Sequence, residues 1–180
     1  MIIRRFENKD AEKVSSLIIH TVRISNIEDY SAELMEELIK HQQAENVLER
    51  ASWTHFYVAE TDNGVIIGCG AIGPYWGKED ESSLFTIFVL PEYQGKGIGR
   101  KIIETLEQDE YFLRAKRIEI PSSITAVEFY RKLGYDYKNG IAEIDEEQIY
   151  RLEKFRQTKN RYMLLHIPVF YLFNIWLKFF

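Results

Sequence analysis

Pro91-Glu92-Tyr93-Gln94-Gly95-Lys96-Gly97-Ile98-Gly99-Arg100 is the stretch that decides the fold. A strand-like run, Ser83 to Leu90, leads into it and is stopped by Pro91. A helix leads out of it, with Ile98, Ile102, Ile103 and Leu106 recurring on one face. A glycine-rich turn between a strand and a helix presents free backbone N–H groups where the helix dipole is positive, which makes an anion site. Glycines let an anion reach the backbone with no Cβ in the way. Lys96 and Arg100 add charge that a phosphate can use. Two nucleotide motifs fail here. The P-loop needs Gly-x-x-x-x-Gly-Lys-Ser/Thr, which is absent. The dinucleotide fingerprint needs Gly-x-Gly-x-x-Gly after the first strand of a parallel unit, whereas Gly95, Gly97 and Gly99 alternate after a fourth strand.

Upstream, residues 2–6 read as a short strand, and Asn8 and Asp10 offer capping oxygens for a helix near 10–22. Ser31 opens a second helix, about 31–50, after a loop holding Asn26, Asp29 and Tyr30. The period then changes from helix to strand. Residues 54–59 and 65–73 read as strands joined by Asp62-Asn63-Gly64, a strong hairpin signal, and Pro74 to Ser82 read as a turn. Downstream, Arg117 to Ile120 is a strand, and 124–133 is a helix ended by Gly134. Tyr135 to Lys138 and Gln148 to Lys154 are two last strands. The expected class is α/β (α+β): a mixed, mostly antiparallel sheet of about seven strands with four helices. One domain over 1–155 and an apolar extension over 156–180 are expected.

The ordered motifs make the chain resemble the GCN5-related N-acetyltransferase superfamily. Its signature, Gln/Arg-x-x-Gly-x-Gly/Ala after an apolar residue, any residue and Pro, is similar to Val89-x-Pro91 and Gln94-x-x-Gly97-x-Gly99. Further matches are Ser123-x-x-Ala126-x-x-Phe129-Tyr130-x-x-x-Gly134-Tyr135 and Tyr150-Arg151-Leu152-Glu153-Lys154. The run Asn26 to Ser31 looks like an acceptor-side loop. The resemblance covers residues 2–155 and implies the acyl-CoA N-acyltransferase fold.

It also implies a chemistry: acetyl transfer from acetyl-CoA, the cosubstrate, to a primary amine of a small molecule or peptide, by direct attack in a ternary complex. Acetyl-CoA would lie where strands four and five splay apart. Its pyrophosphate would sit on backbone amides of the turn Gln94, Gly95, Lys96, Gly97, Ile98, Gly99 and Arg100. Its pantetheine arm would pair with Ile87, Phe88 and Val89, and the Val89 N–H would polarise the thioester carbonyl. Tyr130 matches the tyrosine that protonates the departing thiolate, and Ser123 the position that holds the pantetheine. Tyr30 is expected at the acceptor side. The general base has no strand-four candidate, because Leu84 to Phe88 holds no carboxylate. Glu119 remains, on the expectation that Ile118 and Ile120 face the core and Glu119 the cleft. Glu79, Asp80 and Glu81 read as a polar turn, and His20, His41 and His55 are isolated, without metal-ligand spacing. A water chain needs no side chain at all. The competing reading is a non-catalytic acyl-CoA-binding or regulatory module.

Composition bounds the alternatives. The 180 residues carry a formal charge of −5 and a pI near 5.5, which argues against a nucleic-acid-binding surface. The lone Cys69 lies in an apolar run and cannot form an internal disulfide. With no signal-peptide core at the start, a cytoplasmic location is expected. Seven of the aromatics fall within 162–180, a segment whose only full charge is Lys178. Pro168, Asn174 and Lys178 interrupt it and argue against a membrane span. The expectation is packing on its own domain or a homodimer; a membrane-surface anchor and a segment with no function are the alternatives. The acid excess lies in the first 160 residues and hints at a cationic amine acceptor.

Overall fold

Seven strands form one sheet in the order β1-β2-β3-β4-β5-β7-β6 in the computed structural model, which describes residues 1–25 and 30–156. The strands are β1 (Ile2–Arg5), β2 (His55–Glu60), β3 (Ile66–Tyr75), β4 (Lys78–Val89), β5 (Arg117–Ser122), β6 (Asp136–Tyr137) and β7 (Tyr150–Phe155). All neighbours are antiparallel except β4 and β5. The helices are α1 (Ala11–Ser25), α2 (Ala32–Lys40), α3 (Ala44–Trp53), α4 (Ile98–Leu106), α5 (Glu110–Arg114) and α6 (Val127–Arg131). The readings of the apolar tail, homodimer included, fall outside the described residues, as does Asp29.

The sheet is packed on both faces, and the two-residue period of a strand divides its side chains between two cores. Phe56 and Val58 of β2 join Val14, Leu17, Ile18 and Val22 of α1 and Val47 of α3. Ala59 of β2 and Ile72 of β3 join Ile98, Ile102, Ile103 and Leu106 of α4 on the other face. β3 lies between both layers, so it reads as a continuous apolar run rather than an alternating one. Gly70 allows the close fit: a Cβ there would lie 2.6 Å from Ile102 Cγ2 and 2.9 Å from Ile87 Cδ1. Cys69 is buried, and burial pushes its thiol up to about 12.

Three boundaries differ from the sequence reading. The expected helix 31–50 is two helices. α2 is capped by His41, and Gln43 is extended before α3 restarts. No Gly or Pro marks the break; a tertiary contact accompanies it, the Ser15 hydroxyl of α1 donating to the Gln42 carbonyl at 2.6 Å. α5 was not anticipated; the Asp109 carboxylate caps it by accepting from the Tyr111 N–H at 2.9 Å. The expected turn 74–82 is mostly strand, with only Trp76 and Gly77 outside β3 and β4. Its polar residues read as a loop, but they pair within the sheet and with charges beside it: Asp80 meets Lys116 at 2.9 Å and Glu81 meets Arg117.

Candidate active site: the gap between β4 and β5

β4 and β5 pair only over Glu81–Ser83 and Arg117–Glu119. Beyond Ser83 the two strands part. β5 continues on β7 through Ser122, while β4 runs to Val89 with a β5-side edge that has no strand partner among the described residues. The gap opens a cavity of about 570 Å³. Its wall runs from Tyr93, Gln94, Gly95, Gly97, Ile98, Gly99 and Arg100, along Ile87, Phe88 and Val89, to Thr21, Tyr30, Leu38 and Gln42. Ser123, Phe129 and Tyr130 close the side formed by the chain after β5.

The turn holds its shape through its glycines. Gly95 and Gly97 have φ of +72° and +79°, where an L side chain is strained, and no atom would meet a Cβ at either. Two turn side chains hold the turn itself. The Gln94 Nε2 donates to the Val89 carbonyl at 3.0 Å and to Ser25 Oγ at 3.1 Å, tying the turn to β4 and α1. The Lys96 ammonium donates to the Glu92 carbonyl at 2.9 Å and lies over the Tyr93 ring, so its side chain is not on the cavity wall. Ile98 is buried, joins the core and also lines the cavity. Arg100 is exposed and lines the cavity.

Tyr130 is buried against Phe129 and Tyr135, yet its hydroxyl has no hydrogen-bond partner among the described residues. Burial raises its pKa well above the ordinary phenol, so the hydroxyl keeps its proton at neutral pH. The Tyr30 hydroxyl accepts from the Ile124 N–H at 3.2 Å, which ties the chain before α2 to the turn after β5. Ser123 lines the cavity and its carbonyl accepts from Ala126 N at 3.1 Å.

Glu119 is the correction. Its carboxylate is not on the cavity wall; it accepts from Arg117 at 2.8 Å and pairs with Lys138 at 2.7 Å. Arg117 also holds Glu81 and Glu153, so three carboxylates surround one guanidinium that stacks over Tyr75. Burial acts to raise the Glu119 pKa, but the hydrogen bonds from Lys138 and Arg117 outweigh it and hold the group below the usual carboxylate range. Such a carboxylate is a poor proton acceptor. Ile118 and Ile120 do face the core, and the opposite face at that point is this ion cluster rather than the cleft. His20, His41 and His55 lie off the wall, His55 being held by Asp109 at 2.8 Å.

The sequence reading missed Gln42 and Thr86. Thr86 lies in a bulge of β4, where Thr86 and Ile87 together face Gly70, and its φ is +55°, rare for a β-branched residue. The Cys69 thiol donates to its carbonyl at 3.3 Å and Arg50 Nη1 to its hydroxyl at 3.0 Å, which holds the strained residue in place. No local pattern announces a bulge inside a strand of apolar and β-branched residues.

The site geometry has known counterparts. A family model, the acetyltransferase (GNAT) domain, matches residues 52–137, from the end of α3 through β6. Over those residues the chain is similar to the GNAT acetyltransferases. PaiA N-acetyltransferase from Thermoplasma acidophilum, solved with coenzyme A, has the same fold: TM-score 0.73 at 18% identity, over 86% of this chain and 98% of that one. A GCN5-related N-acetyltransferase from Rhodopseudomonas palustris gives 0.69 at 22%, over 86% and 95%. An aminoglycoside 6'-N-acetyltransferase solved with coenzyme A gives 0.64 at 18%, over 86% and 97%. No curated protein sequence matches the chain.

Proposed function

We propose that this chain binds acetyl-CoA in the gap between β4 and β5 and transfers the acetyl group directly to a primary amine of a small molecule or peptide. The observation that carries it is the β4 edge, without a strand partner among the described residues, running from the glycine turn past Tyr130 on the cavity wall. The residues suit the group. Backbone N–H groups at the start of α4, with Arg100 beside them, suit a pyrophosphate. The free edge at Ile87 to Val89 suits an amide-bearing arm that adds as a strand. A Val89 N–H aimed at a thioester oxygen would stabilise the charge that develops there, a contribution of about 3 kcal/mol for one such donor.

Proton transfer follows from the same wall. Attack by a neutral amine forms the C–N bond and breaks the C–S bond. The thiolate then takes a proton, and the Tyr130 hydroxyl is the acid we assign. A phenol held protonated by burial suits that role. The amine's own proton leaves through water, because Glu119 is committed to Arg117 and Lys138. Glu147, the one carboxylate on the wall among the described residues, is paired with Arg151 at 2.6 Å. That same lack of a free carboxylate favours the second reading, an acyl-CoA-binding or regulatory module without turnover.

Thermal protection by acetyl-CoA and turnover on an amine panel separate the readings. Acetyl-CoA should raise the melting temperature and be consumed. Tyr130→Phe should lower kcat by about 10²-fold or more with that protection retained. Protection without acetyl transfer to any amine would support the module; no protection would overturn both.

A further inference from the structure

We infer that the acceptor of this site carries a carboxylate as well as the amine, and that Arg50, Gln42 and Thr86 recognise it. The inference rests on the acetyltransferase reading and narrows its acceptor.

The observation is a cation without a counter-ion. Three other half-buried arginines are paired: Arg4 with Asp10 and Glu60, Arg117 with Glu81, Glu119 and Glu153, Arg151 with Asp145 and Glu147; Arg156, at the far end of the described residues, has no ion pair among them. Arg50, in the last turn of α3, is half-buried too, and burial lowers its pKa. Among the described residues it has no carboxylate partner. Its Nη1 donates to Thr86 Oγ1 at 3.0 Å and to Gln42 Oε1 at 3.3 Å, and its Nε and Nη2 make no hydrogen bond among the described residues. A guanidinium taken out of water this way is costly unless something negative meets it.

Those two partners are on the cavity wall. Arginine has no acceptor atom, so Gln42 must turn its oxygen to Arg50 and its NH₂ group away. Thr86 Oγ1 accepts from Arg50, which leaves its own proton to donate elsewhere. Neither the Gln42 NH₂ nor the Thr86 hydroxyl donates to another group among the described residues. At Gln42 and Thr86 the wall therefore offers an amide and a hydroxyl donor with a positive charge behind them, the complement of a carboxylate. Thr86 precedes Val89 by three residues, roughly 10 Å of strand, so this patch lies on the acceptor side of the assigned reacting carbonyl. A purely cationic polyamine would meet an uncompensated guanidinium there. Free amino acids and the C-terminus of a short peptide both supply the required group.

The test uses the full chain with acetyl-CoA and matched acceptors: 6-aminohexanoate against its amide, lysine against cadaverine, and glycylglycine against glycylglycinamide. Each acid should exceed its uncharged or decarboxylated partner at least tenfold in kcat/KM, or about 1.4 kcal/mol. The amino acid and dipeptide pairs distinguish the two sources. Arg50→Gln should bring the ratio close to one through the acceptor KM, and Arg50→Lys should keep part of it. Melting in the presence of coenzyme A gives a readout without turnover: the acids should protect and the amides should not. Equal or better use of amides and cadaverine by the wild-type chain, or equal protection, overturns the inference while the acetyltransferase reading stands. Absence of acetyl-CoA protection marks failure of that reading instead.

Discussion

Replacing Glu119 with glutamine separates a structural carboxylate from a catalytic one. Its side chain is 4% exposed and accepts from Arg117 and pairs with Lys138. Removing one member of a buried ion pair costs about 3–5 kcal/mol. Here the loss is smaller, because Lys138 is 30% exposed and can reach water, and Arg117 keeps Glu81 and Glu153. About 2 kcal/mol is the expected destabilisation, or about 4–8 °C in Tm for a chain of this size. The pH dependence has a definite sign. The folded pKa of Glu119 is lowered, so its stabilisation is complete above the unfolded value of about 4.3 and is lost as pH falls through the folded value. The gap in Tm between wild type and Glu119→Gln should be full at pH 7 and shrink below about pH 4.3. The pH profile of kcat/KM should keep its shape, since the carboxylate is not on the cavity wall. A Glu119→Gln chain with unchanged Tm and a 10²-fold loss of kcat would refute this reasoning and restore Glu119 as the base.

Other expectations follow from single contacts. Gly70→Ala places a methyl 2.6 Å from Ile102 Cγ2, on a buried helix that cannot yield easily. Overpacking of this kind costs about 1–3 kcal/mol, and chemical denaturation should show it as a lower midpoint at constant slope. Gly97→Ala meets no neighbour but must adopt φ +79°, a strain of about 1–2 kcal/mol. It should raise the KM for acetyl-CoA more than that for the amine. Cys69, with its thiol pushed up to about 12, should resist alkylation at pH 8 in the native chain and react on unfolding.

The glycine turn, the strand before it and the helix after it were legible because their signals are local. Pro91 ends a strand, Gly95 and Gly97 supply positive φ, and Ile98, Ile102, Ile103 and Leu106 share one helix face. The mostly antiparallel sheet and the class of the fold followed from the same kind of evidence. Three things were decided only in three dimensions. The break between α2 and α3 carries no Gly or Pro and is met by a contact from Ser15. The bulge at Thr86 is a matter of register between β3 and β4, which the residues of one strand do not encode. The environment of Glu119 came from Lys138, which pairs with it, and from Arg117, on which Glu81 and Glu153 from distant parts of the chain also converge. Short-range signals located the glycine turn and most strands and helices, but not the break between α2 and α3 or the extension of β4. The protonation and availability of a side chain depend on which distant charges the fold brings within 3 Å of it, and those distances exist only after the sheet has assembled.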